Sequence, residues 1–165
     1  MIKYTRGLLL TLAAITLVSV RAAAADPSAE VTALHAADDA WAKAHNSGNV
    51  DGVVALYDEH AVLLPPGAPS ASGRAAIRAF FTSEIAEAMK AGARFTLGAN
   101  PAGGVSGDWG WSSGTYKVTD KSGKVLETGK YLSVSTKVGG KWLYVRDTWN
   151  ADAPPAPAAE VAPKK

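Results

Sequence analysis

Near Gly92 the spacing of apolar residues changes period, and that change constrains the fold more than any other feature of the chain. Before it, Val31, Leu34, Ala37, Trp41 and Ala44 recur three and four apart, which lines them along one stripe of a helix. Asn46-Ser47-Gly48-Asn49 interrupts the stripe. A second helix is predicted over 50–57, carrying Val53, Val54, Leu56 and Tyr57. A third is predicted over 74–91, carrying Ile77, Phe80, Phe81, Ile85 and Met89, with Gly92 as its stop. Between them, 61–64 is a short apolar strand ended by Pro65-Pro66-Gly67, because proline cannot donate to a ladder and glycine permits the turn. After Gly92 the chain reads as strands over 94–99, 109–119, 125–136 and 141–150. Turn residues at 120–123 and 138–140 make the last three an antiparallel meander. Helices followed by strands predict an α+β domain, its three helices packed on one face of a curved antiparallel sheet with a pocket between. The glycines at 98, 103, 104, 107, 110, 114 and 129 are expected to supply bulges and curvature.

The two ends of the 165 residues differ from this middle. Residues 1–25 combine a basic start, an apolar run over 8–20 and small residues ahead of Asp26, the pattern of a signal peptide. The run falls short of the roughly 20 residues that cross a bilayer, so no stable membrane span is expected and the mature chain is placed in the periplasm or outside the cell. Residues 151–165, ADAPPAPAAEVAPKK, have too little apolar surface to offset the entropy of ordering and read as a disordered Ala/Pro-rich tail. The folded domain is then 27–150. The net charge of +2 comes from Lys3, Arg6 and Arg21, which leaves a near-neutral body without a phosphate-binding footprint and argues against nucleic acid as a partner. The absence of cysteine excludes disulfides, thiolate catalysis and zinc-thiolate sites.

Three segments in this order, AWAKAHNSGNVDGVVALYDEHAVLLPPG, SGRAAIRAFF and GKYLSVSTKVGGKWLYVRDTWN, resemble the SnoaL-like or DUF4440 branch of the superfamily that includes ketosteroid isomerase and nuclear transport factor 2. The resemblance spans about residues 30–150. It implies an NTF2-like cone, a bent sheet wrapped around three N-terminal helices with an apolar internal pocket, and a homodimer formed through the sheet. It does not imply one activity, because this fold hosts isomerases, lyases, hydrolases and binding modules. Ketosteroid isomerases use a tyrosine, an aspartate base and a protonated aspartate. The resemblance puts Trp41, Pro65 and Gly129 or a neighbour at those positions, so that catalytic set is missing here.

Strict alternation along 141–150 places Leu143, Val145, Asp147 and Trp149 on one face and Trp142, Tyr144, Arg146 and Thr148 on the other. The resemblance turns the first face to the pocket, with Asp147 as an acid on an apolar wall. Burial without a charge partner raises a carboxyl pKa into the range of acid-base chemistry. Alternatively Asp147 pairs with Lys117 or Lys130, or accepts from a Tyr or Trp. Asp38, Trp41 and His45 share one side of the first helix, so Asp38 and His45 are further acid-base candidates, set against a solvated helix edge and a dipole-compensating histidine. The ligand-lining candidates are Trp41, Tyr57, Leu64, Phe80, Trp111, Tyr116, Tyr131, Val145 and Trp149. Tyr116 and Tyr131 would each offer a hydroxyl beside apolar surface. His35, His45 and His60 show no metal spacing, and neither a metal nor a cofactor is expected. Arg74 and Arg78, one turn apart, form either a small carboxylate site or a solvated face. Two functions remain: a domain that binds a small apolar molecule, or a cofactor-free isomerase, lyase or hydrolase using Asp147.

Overall fold

The computed structural model describes residues 27–153, so the expected leader and all but the first three residues of the expected tail lie outside the described residues. The helices are α1 (Pro27–Asn46), α2 (Val50–Val54) and α3 (Gly73–Ala91). The strands are β1 (Tyr57–Leu64), β2 (Ala71–Ser72), β3 (Arg94–Leu97), β4 (Ala102–Ser106), β5 (Trp109–Thr119), β6 (Val125–Val138) and β7 (Lys141–Ala151). They form one sheet in the order β2-β1-β7-β6-β5-β3, with β4 extending the β3 edge along the rest of β5. The expected meander β5-β6-β7 is antiparallel, but β1 joins β7 in parallel, so the sheet is mixed.

Local chemistry explains the helix ends. Asn49 accepts from the Gly52 amide at 2.8 Å and caps α2. Gly92 adopts the left-handed conformation at φ 63°, and the Ala93 amide bonds back to the Ala88 carbonyl, closing α3 as the sequence predicts. The second helix stops at Val54, short of the expected 57, because the Leu56 carbonyl accepts from the Tyr144 amide and draws Tyr57 into β1. Asn46 does more than end α1. Its side chain exchanges two hydrogen bonds with the Phe95 backbone, at 2.8 and 2.9 Å, and so fastens the helix to the β3 edge. At the other end of α1, Glu30 accepts from Lys137 and from the Trp142 indole. Ala151 still pairs with Gly129, and the Asp152 amide bonds to the Thr128 carbonyl, so ordered structure runs slightly past the expected boundary at 150.

Two departures from the sequence reading shape the interior. The 94–99 strand ends at Leu97, and the glycine-rich stretch after Pro101 forms β4, an element the sequence reading lacked. In β7, Ser135 pairs with Tyr144 and Val134 with Arg146, which leaves Val145 as an extra, bulged residue. Alternation therefore flips: Trp142 and Tyr144 face inward before the bulge, Asp147 and Trp149 after it. The core gathers Val53, Tyr57, Leu63, Ile77, Phe81, Ile85 and Tyr144 between α2, α3 and the β1–β7 pair.

Glycines in the long strands serve a purpose other than the expected bulging. Gly104, Gly114 and Gly129 stand directly across from Trp111, Tyr131 and Tyr116, and each ring lies over its glycine. A Cβ on Gly129 would fall 2.5 Å from the Tyr116 ring and 2.4 Å from the Asn150 carbonyl oxygen. Gly129→Ala is therefore expected to cost about 2–3 kcal/mol through overpacking. Urea unfolding measures it, and a midpoint equal to that of the parent would refute the seat.

Candidate functional site

Helices α1 and α3 and the inner face of the sheet line a half-open cavity of about 120 Å³. Asp38, Trp41 and His45 reach it from α1, one helical side at spacings of three and four, and Phe81 and Glu84 reach it from α3. Phe95 and Leu97 of β3, Tyr116 and Val118 of β5, Glu127, Tyr131 and Ser133 of β6, and Tyr144, Asp147 and Trp149 of β7 complete the wall. The surface is aromatic for the most part, with carboxylates set into it.

Two buried carboxylates organise its floor. Asp147 accepts from the Tyr57 hydroxyl at 2.5 Å and from the Ser133 hydroxyl at 2.8 Å. Asp38 accepts from Tyr144 at 2.6 Å, from Ser112 at 3.1 Å and from Tyr131 at 3.2 Å. The Trp41 indole donates to the Tyr57 oxygen, which joins α1 to the Asp147 group. Burial pushes the Asp147 carboxyl up to about 6, against the opposing pull of Tyr57 and Ser133. Burial also raises Asp38, opposed by Tyr144, Ser112 and Tyr131. The hydroxyls of Tyr57, Tyr131 and Tyr144 are raised by burial and then by the neighbouring carboxylates, so they stay protonated and donate. The Tyr116 hydroxyl, raised chiefly by burial, donates to Glu127 at 2.7 Å. His45 stacks on Trp41, with ring centres 5.0 Å apart, and its Nε2 meets Glu84 Oε2 at 2.8 Å. Its Nδ1 is buried with no partner.

The structure brings Asp147, Asp38, His45, Trp41, Tyr116, Tyr131 and Trp149 of the sequence candidates into this wall. Tyr57 lies one layer beneath it, fully buried, and acts through Asp147. Phe80 packs edge-on against Phe81 and Trp149 rather than lining the cavity. Three candidates fall away from it. Leu64 is exposed at the end of β1, Trp111 is exposed on the outer face, and Val145 is the bulged residue itself. Simple alternation puts Tyr144 on the outer face, and the bulge at Val145 turns it inward. Glu84 was legible in principle, since it lies three residues after Phe81 on one helix face. Phe95 and Leu97 become lining residues only once Asn46 holds β3 against α1.

Lys130, Arg74, Arg78 and Asp147 have structural partners. Lys130 pairs with Asp152, and Asp147 is held by a tyrosine and a serine rather than by lysine. Arg74 donates to the Tyr57 carbonyl and Arg78 pairs with Asp51, which leaves no convergent anion site between them. Among the described residues, no group of three histidine or acidic side chains is placed to hold a metal ion. Nor is any described helix long and apolar enough to cross a membrane.

Comparison with known proteins places this geometry in context. The family model of the SnoaL-like domain matches residues 38–145. Among solved structures, a ketosteroid isomerase-like protein from Erwinia carotovora atroseptica is 22% identical, covering 76% of this chain and 98% of that one, with a TM-score of 0.60. An NTF2-like protein with a cystatin-like fold from Novosphingobium aromaticivorans is 20% identical over 72% of this chain and 79% of that one, with a TM-score of 0.65. A protein of unknown function from Mycobacterium tuberculosis is 22% identical over 82% of this chain and 81% of that one, with a TM-score of 0.68. At these identities the likeness is one of fold. No curated protein matches the chain.

Asp147 makes stability depend on pH in a stated direction. Its carboxyl titrates at about 6 when folded against 3.8 ordinarily, so between those values the folded state holds the extra proton. Stability then falls as pH rises through that window, by about 3 kcal/mol for this group. Asp147→Asn removes the titration while leaving an acceptor for Tyr57. The variant is expected to be about 2–3 kcal/mol more stable than the parent at pH 7, with the gain vanishing near pH 4. Urea unfolding at the two pH values checks this, and an equal difference at both would contradict it.

Proposed function

This chain belongs to the SnoaL-like domain family, and from that premise we propose that it is an exported domain binding one small, largely apolar molecule in its cavity, without ketosteroid isomerase-type catalysis. The carrying observation is a half-open aromatic cavity whose hydroxyl donors are already committed to its own carboxylates. Its volume bounds the ligand. At about 120 Å³ it is close to the roughly 150 Å³ of an apolar cavity that takes up benzene, and well below the pockets that hold drug-sized molecules. A single ring or a short branched chain fits within it.

The missing oxyanion donors support binding over isomerisation. An enzyme that stabilises a developing enolate needs free donors aimed at the substrate oxygen. Here Tyr131 and Tyr144 point theirs at Asp38, and Tyr57 points its own at Asp147. A second reading rests on Asp147 alone: a carboxyl at about 6 is matched to proton transfer near neutrality, as a cofactor-free isomerase, lyase or hydrolase would require. The two separate in one variant. Under the binding reading, Asp147→Asn still takes up toluene with the parent's affinity, measured by calorimetry or ligand-observed NMR. Under the enzyme reading it abolishes turnover of whatever molecule co-purifies with the parent, identified by mass spectrometry. Failure of both toluene and any co-purifying molecule to occupy the cavity would remove the binding reading.

Export and pairing belong to the same proposal. The leader pattern over 1–25 supports cleavage, so the intact mass of the exported protein should begin near Ala25 or Asp26. The sheet face turned away from the helices exposes Trp109, Trp111 and Leu132, which supports a homodimer through that face. Combining Trp111→Lys with Leu132→Glu should shift the protein to monomer in sedimentation, with the fold retained. A parent that sediments as a monomer would refute the dimer.

A further inference from the structure

We propose that the molecule held in the cavity is a small organic cation, a protonated amine on a body of about one ring. This rests on the binding reading above and names the chemistry that the site selects. Four acidic side chains line the cavity, Asp38, Glu84, Glu127 and Asp147, and no lysine or arginine does. Hydrogen-bonding capacity is equally one-sided. The hydroxyls of Tyr57, Tyr116, Tyr131, Tyr144, Ser112 and Ser133 all donate to those carboxylates, and the Trp41 indole donates to Tyr57. What these groups leave to a ligand is acceptors.

His45 belongs to the same acceptor-rich wall. It is 6% exposed, lines the cavity, and is bonded at Nε2 to Glu84, while Nδ1 is buried without a partner. In either form the Nε2 edge of the ring is committed to Glu84, so it offers a ligand no free donor there. The walls add a third element. Trp41, Phe81, Phe95, Tyr116 and Trp149 surround the space with aromatic side chains, whose π faces attract cations. An anion would meet four carboxylates with no compensating charge, and a bare carbonyl would meet no hydroxyl donor left free by the network. A metal ion is disfavoured because the acidic groups are spread around the wall and no three of them converge among the described residues. A cation dispersed over an organic frame fits that spread. A cation there would also favour the charged forms of Asp147 and Asp38 that burial disfavours.

Four probes of nearly one shape separate the alternatives: benzylamine, protonated near neutral pH as alkylamines are, benzyl alcohol, toluene and benzoate. Titration into the full-length exported protein, read by calorimetry or ligand-observed NMR, should rank benzylamine about tenfold tighter than toluene and benzyl alcohol, with benzoate not bound. Toluene or benzyl alcohol binding as tightly as benzylamine would overturn the cation proposal and leave the binding reading intact. Uptake of none of the four would overturn both. Asp147→Asn should narrow the preference for benzylamine over toluene several-fold without weakening toluene. Glu84→Gln, which keeps a hydrogen-bonding partner for His45 and removes a charge outside the Asp147 network, should do the same to a smaller degree. An unchanged preference in both variants would also refute the assignment.

Discussion

Two carboxylates buried between helix and sheet hold this domain in register. Asp38 on α1 draws hydroxyl bonds from β5, β6 and β7, through Ser112, Tyr131 and Tyr144. Asp147 on β7 draws them from β1 and β6, through Tyr57 and Ser133. A carboxylate taken out of water costs several kcal/mol unless such donors surround it, so each acid demands a particular arrangement of strands. The arrangement in turn fixes the helix above. With Trp41 bonded to Tyr57, the first helix cannot rotate without breaking both networks. The cavity is the space these networks leave open.

The same bonds explain why the interior is rich in acceptors and poor in free donors. A tyrosine whose hydroxyl serves a buried acid is unavailable to a ligand, however close its ring comes. The cavity's tyrosines therefore contribute aromatic surface and lone pairs. Charge imbalance and the aromatic wall point in the same direction, which is why ligand chemistry follows from the structural network and not from any isolated side chain. The glycine seats belong to this economy of space. By placing Gly114 and Gly129 opposite Tyr131 and Tyr116, the sheet lets two rings lie flat along its inner surface and keeps the hollow from filling.

Much of the fold was legible from one-dimensional pattern. The helical stripe from Val31 to Ala44, the stop at Gly92 and the three-stranded meander are consequences of short-range sequence, and the structure has them where the pattern puts them. Asp38, Trp41 and His45 were also legible as a set, since a helix brings residues three and four apart to one side. Tyr144, Phe95 and Glu127 were not. The first depends on a bulge, the second on a helix-end asparagine bonding to a distant strand, and the third on the register of β6 against β5.

The sequence by itself determined the kinds of elements and their order, because apolar period, proline and glycine act on the nearest few residues of backbone. Tertiary structure decided which way the last strand's side chains point, since one extra residue at Val145 reverses every position before it relative to those after it. It also decided that β1 runs parallel to β7, a pairing across some ninety residues that no local pattern encodes. Whether Asp147 is an ordinary surface acid or a buried one near neutrality was settled by the same long-range packing, because desolvation is a property of everything around a group and of nothing in the group alone.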